Sequence, residues 1–400
     1  DVRLLKEIIG IVRGWVFSTT DLFPTTKEKA AILVKMLVFE LRGELSLSKE
    51  FYQIIVDIFE DKSLTCTELT VRMEQPFLVG TRLADVSIRQ RLLSILNESL
   101  ERDINKRLYY VIREQNWEYL ADYRWLNQAL QLLYGSFDGD HFLKLESSYQ
   151  FATLDQIKAV IGDENNEPLD GVQDLLNEHG KFLGEIGQIK ARDIIGPLSN
   201  LFYKSPETVH STWVNVFPVA YSSISRRERT NFKEALVSLL SKDYHTRQAD
   251  ARPNVIQSLL EGVGKCSDLQ LPPHLIKYLG YSFDSWYPSI KILESIEDEP
   301  LVDNNIVRET NQDALIEMYA TLQEDDMFYG QWRRRAKYFE TNAALSYEQI
   351  GLWDKALQLY EAAQIKARSG VLPYGESEYS LWEDNWILCA YKFQHLDILT

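Results

Sequence analysis

Apolar residues recur at spacings of three and four positions along most of the chain, a pattern typical of amphipathic helices. Two clear stripes follow Lys27 and Ser48, with apolar positions at Ala30, Ile32, Leu33, Met36, Leu37 and Leu41, and then at Phe51, Ile54, Ile55, Ile58 and Phe59. Thr25 or Thr26 is predicted to cap the first of these helices. A third helix is predicted over residues 86–100, and one or two more over residues 108–133.

Sustained alternation of apolar and polar residues is hard to find, and no Asn-Gly or Asp-Gly turn lies between alternating apolar runs. The 19 glycines and 12 prolines fall below the average of ~12% for these two residues together, which disfavours turn-rich β-sheet architectures. We therefore predict an all-α fold of roughly 15–18 helices, each about 12–20 residues long.

A 400-residue helical chain without long linkers is predicted to be an α-solenoid, because stacked helix pairs bury each other's apolar faces in series. Its most polar interruption spans residues 162–171, which are acidic and contain Pro168 and Gly171. We place the predicted domain boundary there, between residues 1–162 and 171–400.

Small and aromatic residues between positions 344 and 363 follow the spacing of a tetratricopeptide helical hairpin. The positions that match are Ala344, Tyr347, Gly351, Trp353, Ala356, Tyr360 and Ala363. Small residues let the two helices approach closely, and the glycine makes the turn between them. Arg368 replaces the usual closing proline, so the copy is degenerate, and Trp382, Trp386, Ala390 and Leu396 indicate a second copy.

The chain is acidic, with 43 lysines and arginines, 59 aspartates and glutamates and a formal net charge of −16. Such a chain repels DNA phosphates, so we predict no direct contact with nucleic acid. No apolar stretch approaches the ~18–20 residues of a membrane-spanning helix, and no membrane partner is expected. Cys66, Cys266 and Cys389 lie far apart, which disfavours a disulfide framework or zinc knuckle and fits a reducing compartment.

Motifs for catalysis, cofactor binding and metal binding are missing from the sequence. The glycines of residues 180–187 and 262–264 do not have the spacing of a dinucleotide or phosphate loop, and the six histidines are solitary. Adjacent acids such as Glu324, Asp325 and Asp326 are more typical of solvated loops and helix starts than of general acid–base pairs. We predict no catalytic residue, no cofactor and no metal.

Two arginine clusters stand out against this acidic background and are the candidate partner-binding residues: Arg226, Arg227 and Arg229, then Arg333, Arg334 and Arg335. Each cluster could bind an acidic partner segment or an inositol phosphate. Consecutive arginines on a helix point in different directions, so we also expect at least one to pair within the chain, with acids such as Glu324 or Glu340. The aromatic residues are interpreted first as packing between helices.

Several segments of the sequence resemble the TRRAP family of giant pseudokinases. The densest resemblance covers residues 271–279, 322–338, 344–356 and 381–387, which include Pro272-Pro273 and Trp332-Arg333-Arg334-Arg335. Residues 200–252 look like the fungal members of that family, and residues 1–160 resemble it more loosely.

This resemblance implies a non-enzymatic scaffold, in which HEAT-like repeats precede a FAT domain of tetratricopeptide-like repeats and a kinase-like domain that lacks catalytic residues. Residues 1–162 would end the HEAT-like solenoid and residues 171–400 would begin the FAT domain. It also implies a nuclear co-activator subunit of SAGA-type and NuA-type histone acetyltransferase complexes. The implied partners are other subunits and acidic transcriptional activators.

Two alternatives stay open at this point. The chain could be the regulatory FAT segment of a catalytically active phosphatidylinositol-3-kinase-related kinase, which would differ in a kinase domain outside these residues. It could also be a free-standing helical-repeat adaptor. Asp1 and Thr400 both lie inside helical patterns, which predicts a piece of a longer protein and disfavours the adaptor.

Overall fold

A computed structural model of the chain describes residues 2–18, 23–41, 43–65, 67–121, 125–142, 154–161, 172–297, 305–372 and 376–394. Within those ranges the regular structure is helical, and the only β-pairing is an isolated bridge between Phe142 and Lys190. The predicted all-α fold is confirmed. The chain divides into two compact units, Asp1–Ser258 and Leu259–Thr400.

The first unit contains most of the described helices, several of them shorter than predicted. They are α1 (Val2–Phe17), α2 (Thr26–Lys35), α3 (Val38–Leu41), α4 (Leu45–Glu60), α5 (Glu68–Arg72), α6 (Glu74–Gly80), α7 (Val86–Ser99), α8 (Ile104–Tyr109), α9 (Leu126–Tyr134), α10 (Leu154–Ile161), α11 (Val172–Ile186), α12 (Ala191–Leu201), α13 (Pro206–Ser222), α14 (Arg229–Leu240) and α15 (Val255–Val263), whose last residues belong to the second unit.

The second unit continues with longer helices. They are α16 (Pro273–Ser282), α17 (Trp286–Glu297), α18 (Asn305–Leu322), α19 (Asp325–Arg335), α20 (Phe339–Gln349), α21 (Trp353–Arg368) and α22 (Glu376–Lys392).

Helix α4 shows how the apolar pattern becomes packing. Its predicted stripe is buried, with Phe51, Ile54, Ile55 and Ile58 at most 1% exposed, and the helix packs against α1, α6 and α7. Thr25 caps α2 as predicted. Its hydroxyl accepts from the Glu28 amide at 3.4 Å, and the Glu28 carboxylate accepts from the Thr25 amide at 2.8 Å.

The predicted helical region over residues 108–133 is interrupted. After α8 the chain forms a π-helix (Tyr110–Glu114) and a short 3₁₀-helix (Glu118–Leu120) before α9 begins. Trp117 and Trp125 stack at 4.7 Å between ring centroids, and Trp125 meets Trp213 edge-on at 6.4 Å. All three indoles are at most 1% exposed, so the aromatic residues here are core packing.

Arg107 joins the ends of two helices from inside the first unit, where it is 1% exposed. Its guanidinium donates five hydrogen bonds, to the side chain of Asn97 and to the carbonyl oxygens of Asn97, Leu100, Glu101 and Leu132. Those carbonyls lie at the C-terminal ends of α7 and α9, where helices lack internal donors. Burial lowers the pKa of Arg107 below its usual 12.5.

Gly135 is required by this arrangement. A Cβ atom at that position would lie 1.8 Å from the Asn97 amide oxygen and 2.5 Å from Nη1 of Arg107. Gly135→Ala is therefore expected to lower the free energy of unfolding by about 2–3 kcal/mol, the range of overpacked sites. Urea denaturation of the 400-residue chain, followed by circular dichroism, measures the change.

Gly184→Ala is the matched control for that measurement, because a Cβ at this α11 position meets nothing within 4 Å. It should be neutral or stabilising by up to ~1 kcal/mol. Equal stability of the two variants would contradict the account of Arg107.

Candidate partner-binding site

The first arginine cluster forms the turn between α13 and α14. Arg226 and Arg227 lie in the turn itself and are exposed. Neither has a hydrogen-bond or ion-pair partner among the described residues. Their guanidinium groups are therefore available to groups outside the chain.

Arg229, the third member, serves the turn instead. Its guanidinium lies over the Tyr221 ring, 5.1 Å from the ring centroid, and its Nε donates to the carbonyl of Ile224 at 3.3 Å. The Tyr109 hydroxyl donates to the carbonyl of Glu228 at 2.7 Å, and this contact joins the turn to α8. The contacts of Arg229 and of the Glu228 carbonyl thus hold the backbone of the turn in place, and Arg226 and Arg227 project from it.

A cleft of about 500 Å³ lies beside this turn, within the first unit. Its walls come from the end of α7, from α8 and the π-helix, and from the start of α14; they are Ser99, Leu100, Glu101, Lys106, Arg107, Tyr109, Tyr110, Arg113, Glu114, Glu228 and Asn231. This cleft was not predicted from the sequence, because the two residues that meet across it, Tyr109 and Glu228, are 119 positions apart along the chain.

The second arginine cluster ends α19 and is divided between the interior and the surface. Arg335 is 7% exposed, and its Nε donates to the Asp313 carboxylate at 3.0 Å. Arg333 is exposed and donates to the Gln349 side chain at 2.7 Å, while Arg334 is exposed. The expected pairing of one arginine within the chain is confirmed, but its partner is Asp313, whereas Glu340 pairs with Lys366.

The tetratricopeptide-like hairpin predicted over residues 344–363 is formed by α20 and α21. Ala344, Ala356, Tyr360 and Ala363 are all 0% exposed, and Gly351 makes the turn with a φ of +75°. Such a φ strains any residue with a Cβ, which explains the glycine. The next helix, α22, packs against α21 through Trp382 and Ala390, whereas Leu396 lies outside the described residues.

Glu348 ties this hairpin to its neighbours, a role that the sequence analysis did not predict. The carboxylate is 3% exposed and accepts from the Tyr329 hydroxyl at 3.0 Å, the Tyr360 hydroxyl at 2.7 Å and the Asn385 amide at 3.0 Å. Its partners come from α19, α21 and α22. Burial raises the pKa of Glu348, although the three hydrogen bonds partly oppose the shift.

His245 is a buried titratable residue that contacts the backbone. His245 is 1% exposed, and its Nε2 lies 2.9 Å from the Leu239 carbonyl. Burial lowers the pKa of His245 to about 4, which keeps the imidazole neutral at physiological pH. Across the described ranges, no group of three His, Cys, Asp or Glu residues is arranged to hold a metal ion, and no helix has the length and apolar character to cross a membrane.

A protein-family model described as the Tra1 HEAT repeat ring region matches residues 1–266. The chain is 54% identical over 405 residues to the SAGA complex/NuA4 acetyltransferase complex subunit TRA1 of Saccharomyces cerevisiae and 37% identical over 410 residues to the corresponding subunit of Schizosaccharomyces pombe. It is 27% identical over 481 residues to the human transformation/transcription domain-associated protein.

Each of these alignments covers 100% of this chain. The chain in turn spans 11% of the length of the two yeast relatives and 12% of the human one. The similarity therefore extends through both arginine clusters and the tetratricopeptide-like hairpin, but it concerns a small part of each relative.

A substitution at Ala356 tests whether α20 and α21 approach each other closely. Ala356→Arg buries an unpaired charge, and we expect it to destabilise the second unit by about 4 kcal/mol, the size typical of such changes. Cys389 reports the opening, because it is buried and burial raises the pKa of its thiol to about 12. Alkylation of Cys389 should accelerate in a background in which Cys66 and Cys266 are serine.

Lys355→Arg provides the control for this variant, since Lys355 is the exposed neighbour of Ala356. Its melting temperature and alkylation rate should match those of the parent. An Ala356→Arg chain that melts at the parent temperature would show that the two helices do not approach closely at this position.

The raised pKa of Glu348 should make the stability of the folded chain depend on pH. Because its pKa is raised above the ordinary 4.5, the folded state binds the proton more tightly than the unfolded state. Stability should therefore fall as the pH rises from about 4.5 through the raised pKa. Glu348→Gln should remove this fall, as measured by urea denaturation at a series of pH values.

Glu340→Gln, on the same helix, should remove a pH dependence of stability that has the opposite sign. A hydrogen bond from Lys366 lowers the pKa of Glu340, so its contribution to stability is lost as the pH falls below about 4.5. A Glu348→Gln chain with an unchanged slope above that pH would contradict the role assigned to Glu348.

Proposed function

The chain belongs to the Tra1/TRRAP family, and on that premise we propose that it is a non-enzymatic scaffold segment of a transcriptional co-activator subunit. The observation that carries this proposal is the alignment of the whole chain with relatives named as subunits of SAGA and NuA4 acetyltransferase complexes. By this proposal, the segment offers surface to other subunits of such complexes and to acidic transcriptional activators in the nucleus.

The fold supports a scaffold role in physical terms. The buried charged groups of Arg107 and Glu348 join helices to one another, and burial shifts the pKa of each toward its neutral form. The names of the relatives describe complex subunits and transcription-associated proteins. We therefore propose no catalytic activity, and we do not favour the regulatory segment of an active kinase.

Within the arginine clusters, we propose that Arg226 and Arg227 make the direct contacts with an acidic partner. Arg229 positions their turn, and Arg335 holds α19 through Asp313. Arg333 and Arg334 are exposed at the end of α19 and form a second candidate contact in the other unit.

We propose that a HEAT-like part precedes the beginning of a FAT domain in this chain. The boundary predicted at residues 162–171 lies outside the described residues. A later boundary is favoured by two observations, since the family match ends at residue 266 and the first compact unit ends at Ser258.

Crosslinking mass spectrometry of the purified parent assembly tests the scaffold role. We expect lysines of this chain, Lys106 and Lys233 among them, to crosslink to other polypeptides. Arg226→Glu combined with Arg227→Glu should suppress the crosslinks of these two lysines to an acidic partner, because like charges then meet across the contact.

The control reverses Lys204 and Lys242, which changes the net charge equally. These exposed lysines lie at the opposite ends of α13 and α14 from the turn. Their reversal should leave the crosslinks of Lys106 and Lys233 in place. An assembly in which no lysine of the chain crosslinks to another polypeptide would refute the scaffold role.

A further inference from the structure

Two segments that are distant in sequence form a basic island on this acidic chain. Residues 99–115 and 222–233 carry eight cations against four anions: Arg102, Lys106, Arg107, Arg113, Arg226, Arg227, Arg229 and Lys233, against Glu101, Asp103, Glu114 and Glu228. The Tyr109 hydroxyl bond to Glu228 and a hydrogen bond from Ser223 to Asn105 bring the segments together. The Tyr109 and Phe232 rings meet edge-on at 5.5 Å.

The contacts within the island decide which charges it presents. Lys106 pairs with Glu101, and the Glu228 carboxylate accepts from the Ser225 hydroxyl at 2.5 Å. Arg113 is exposed and, like the two turn arginines, has no hydrogen-bond or ion-pair partner in the described part of the chain. Glu114, next to Arg113 in sequence, is an exposed acid. These three arginines, Arg113, Arg226 and Arg227, nevertheless make the available charge of the island mainly positive.

The cleft between the segments combines apolar and polar walls. Leu100, Tyr109 and Tyr110 are half-buried in it, and Asn231 faces them from α14. Burial raises the pKa of Tyr110 to about 12, which keeps its hydroxyl neutral. A volume of about 500 Å³ lies in the range of sites that receive small groups, and π-helical segments such as this one often line functional sites.

We propose that this cleft and the arginines around it bind an acidic peptide segment that carries one bulky apolar side chain. The carboxylates of the segment pair with Arg113, Arg226 and Arg227, whose planar guanidinium groups suit bidentate contacts. The apolar side chain enters the cleft against Tyr109 and Tyr110. This inference rests on the proposed scaffold function and adds the location of the contact and a feature of the partner other than charge.

Two fluorescent synthetic peptides serve as probes. One is a short run of aspartate and glutamate with a single central phenylalanine, and the other has alanine in place of that phenylalanine. Fluorescence anisotropy with the 400-residue chain should show about tenfold tighter binding of the phenylalanine peptide. This difference should persist as salt is raised, whereas the affinity of both peptides should fall.

Asn231→Trp fills the cleft from an exposed position of α14 and should remove that tenfold difference without changing the affinity for the alanine peptide. Thr230→Trp is the matched control, because Thr230 is also exposed but does not line the cleft. Arg113→Ala should weaken the binding of both peptides several-fold. Thermal melts of each variant establish that the chain is folded.

The outcomes separate this inference from the function on which it rests. If Asn231→Trp binds the phenylalanine peptide within about twofold of the parent while Arg226→Glu with Arg227→Glu abolishes binding, the cleft assignment is overturned and the turn remains a contact. If the turn variant binds both peptides as the parent does, the acidic-partner function and the cleft assignment both fail.

Discussion

Helices that are packed on several sides bury polar groups at their ends, and the structure of this chain depends on side chains that satisfy those groups from within. Arg107 supplies donors to the carbonyls that end α7 and α9. In the second unit the buried Glu378 carboxylate accepts from the Lys337 amide at 2.7 Å, just before α20 begins, and from the Thr341 hydroxyl at 3.0 Å. Unpartnered, each such group would cost roughly 1–3 kcal/mol, so these joints determine which helices can lie together.

The same joints separate side chains with internal roles from those that face outward. In each arginine cluster one member is drawn toward the interior, Arg229 against the Tyr221 ring and Arg335 against Asp313, whereas Arg226, Arg227, Arg333 and Arg334 are exposed. A run of like charges in sequence therefore contains inward-facing and exposed residues side by side. The basic island is a surface property that arises only when α8 and the π-helix lie beside the turn before α14.

The local pattern of apolar and polar residues predicted the helices well, but it did not predict the buried polar side chains that connect one helix to another. The stripe of α4, the Thr25 cap and the Ala–Gly–Ala spacing of the α20–α21 hairpin are each encoded within a few residues, and the structure confirms them. One or two helices were predicted over residues 108–133, but the π-helix after Tyr109 was not, because apolar spacing does not distinguish an α-helix from a π-helix followed by a buried loop. Glu348 and Arg107 were also not identified, since their partners are 6 to 37 residues away along the chain and hydrophobic periodicity treats a charged residue as exposed.

Glu348 also constrains how this part of the chain can diverge. Three donors from three helices converge on one carboxylate, so a change at position 329, 360 or 385 alone leaves an acceptor unfilled, and a change at position 348 alone leaves donors unfilled. Substitutions at these four positions are therefore expected to be coupled. Correlated substitution among them, across a broad set of sequences, is the evolutionary imprint that a shared buried carboxylate leaves.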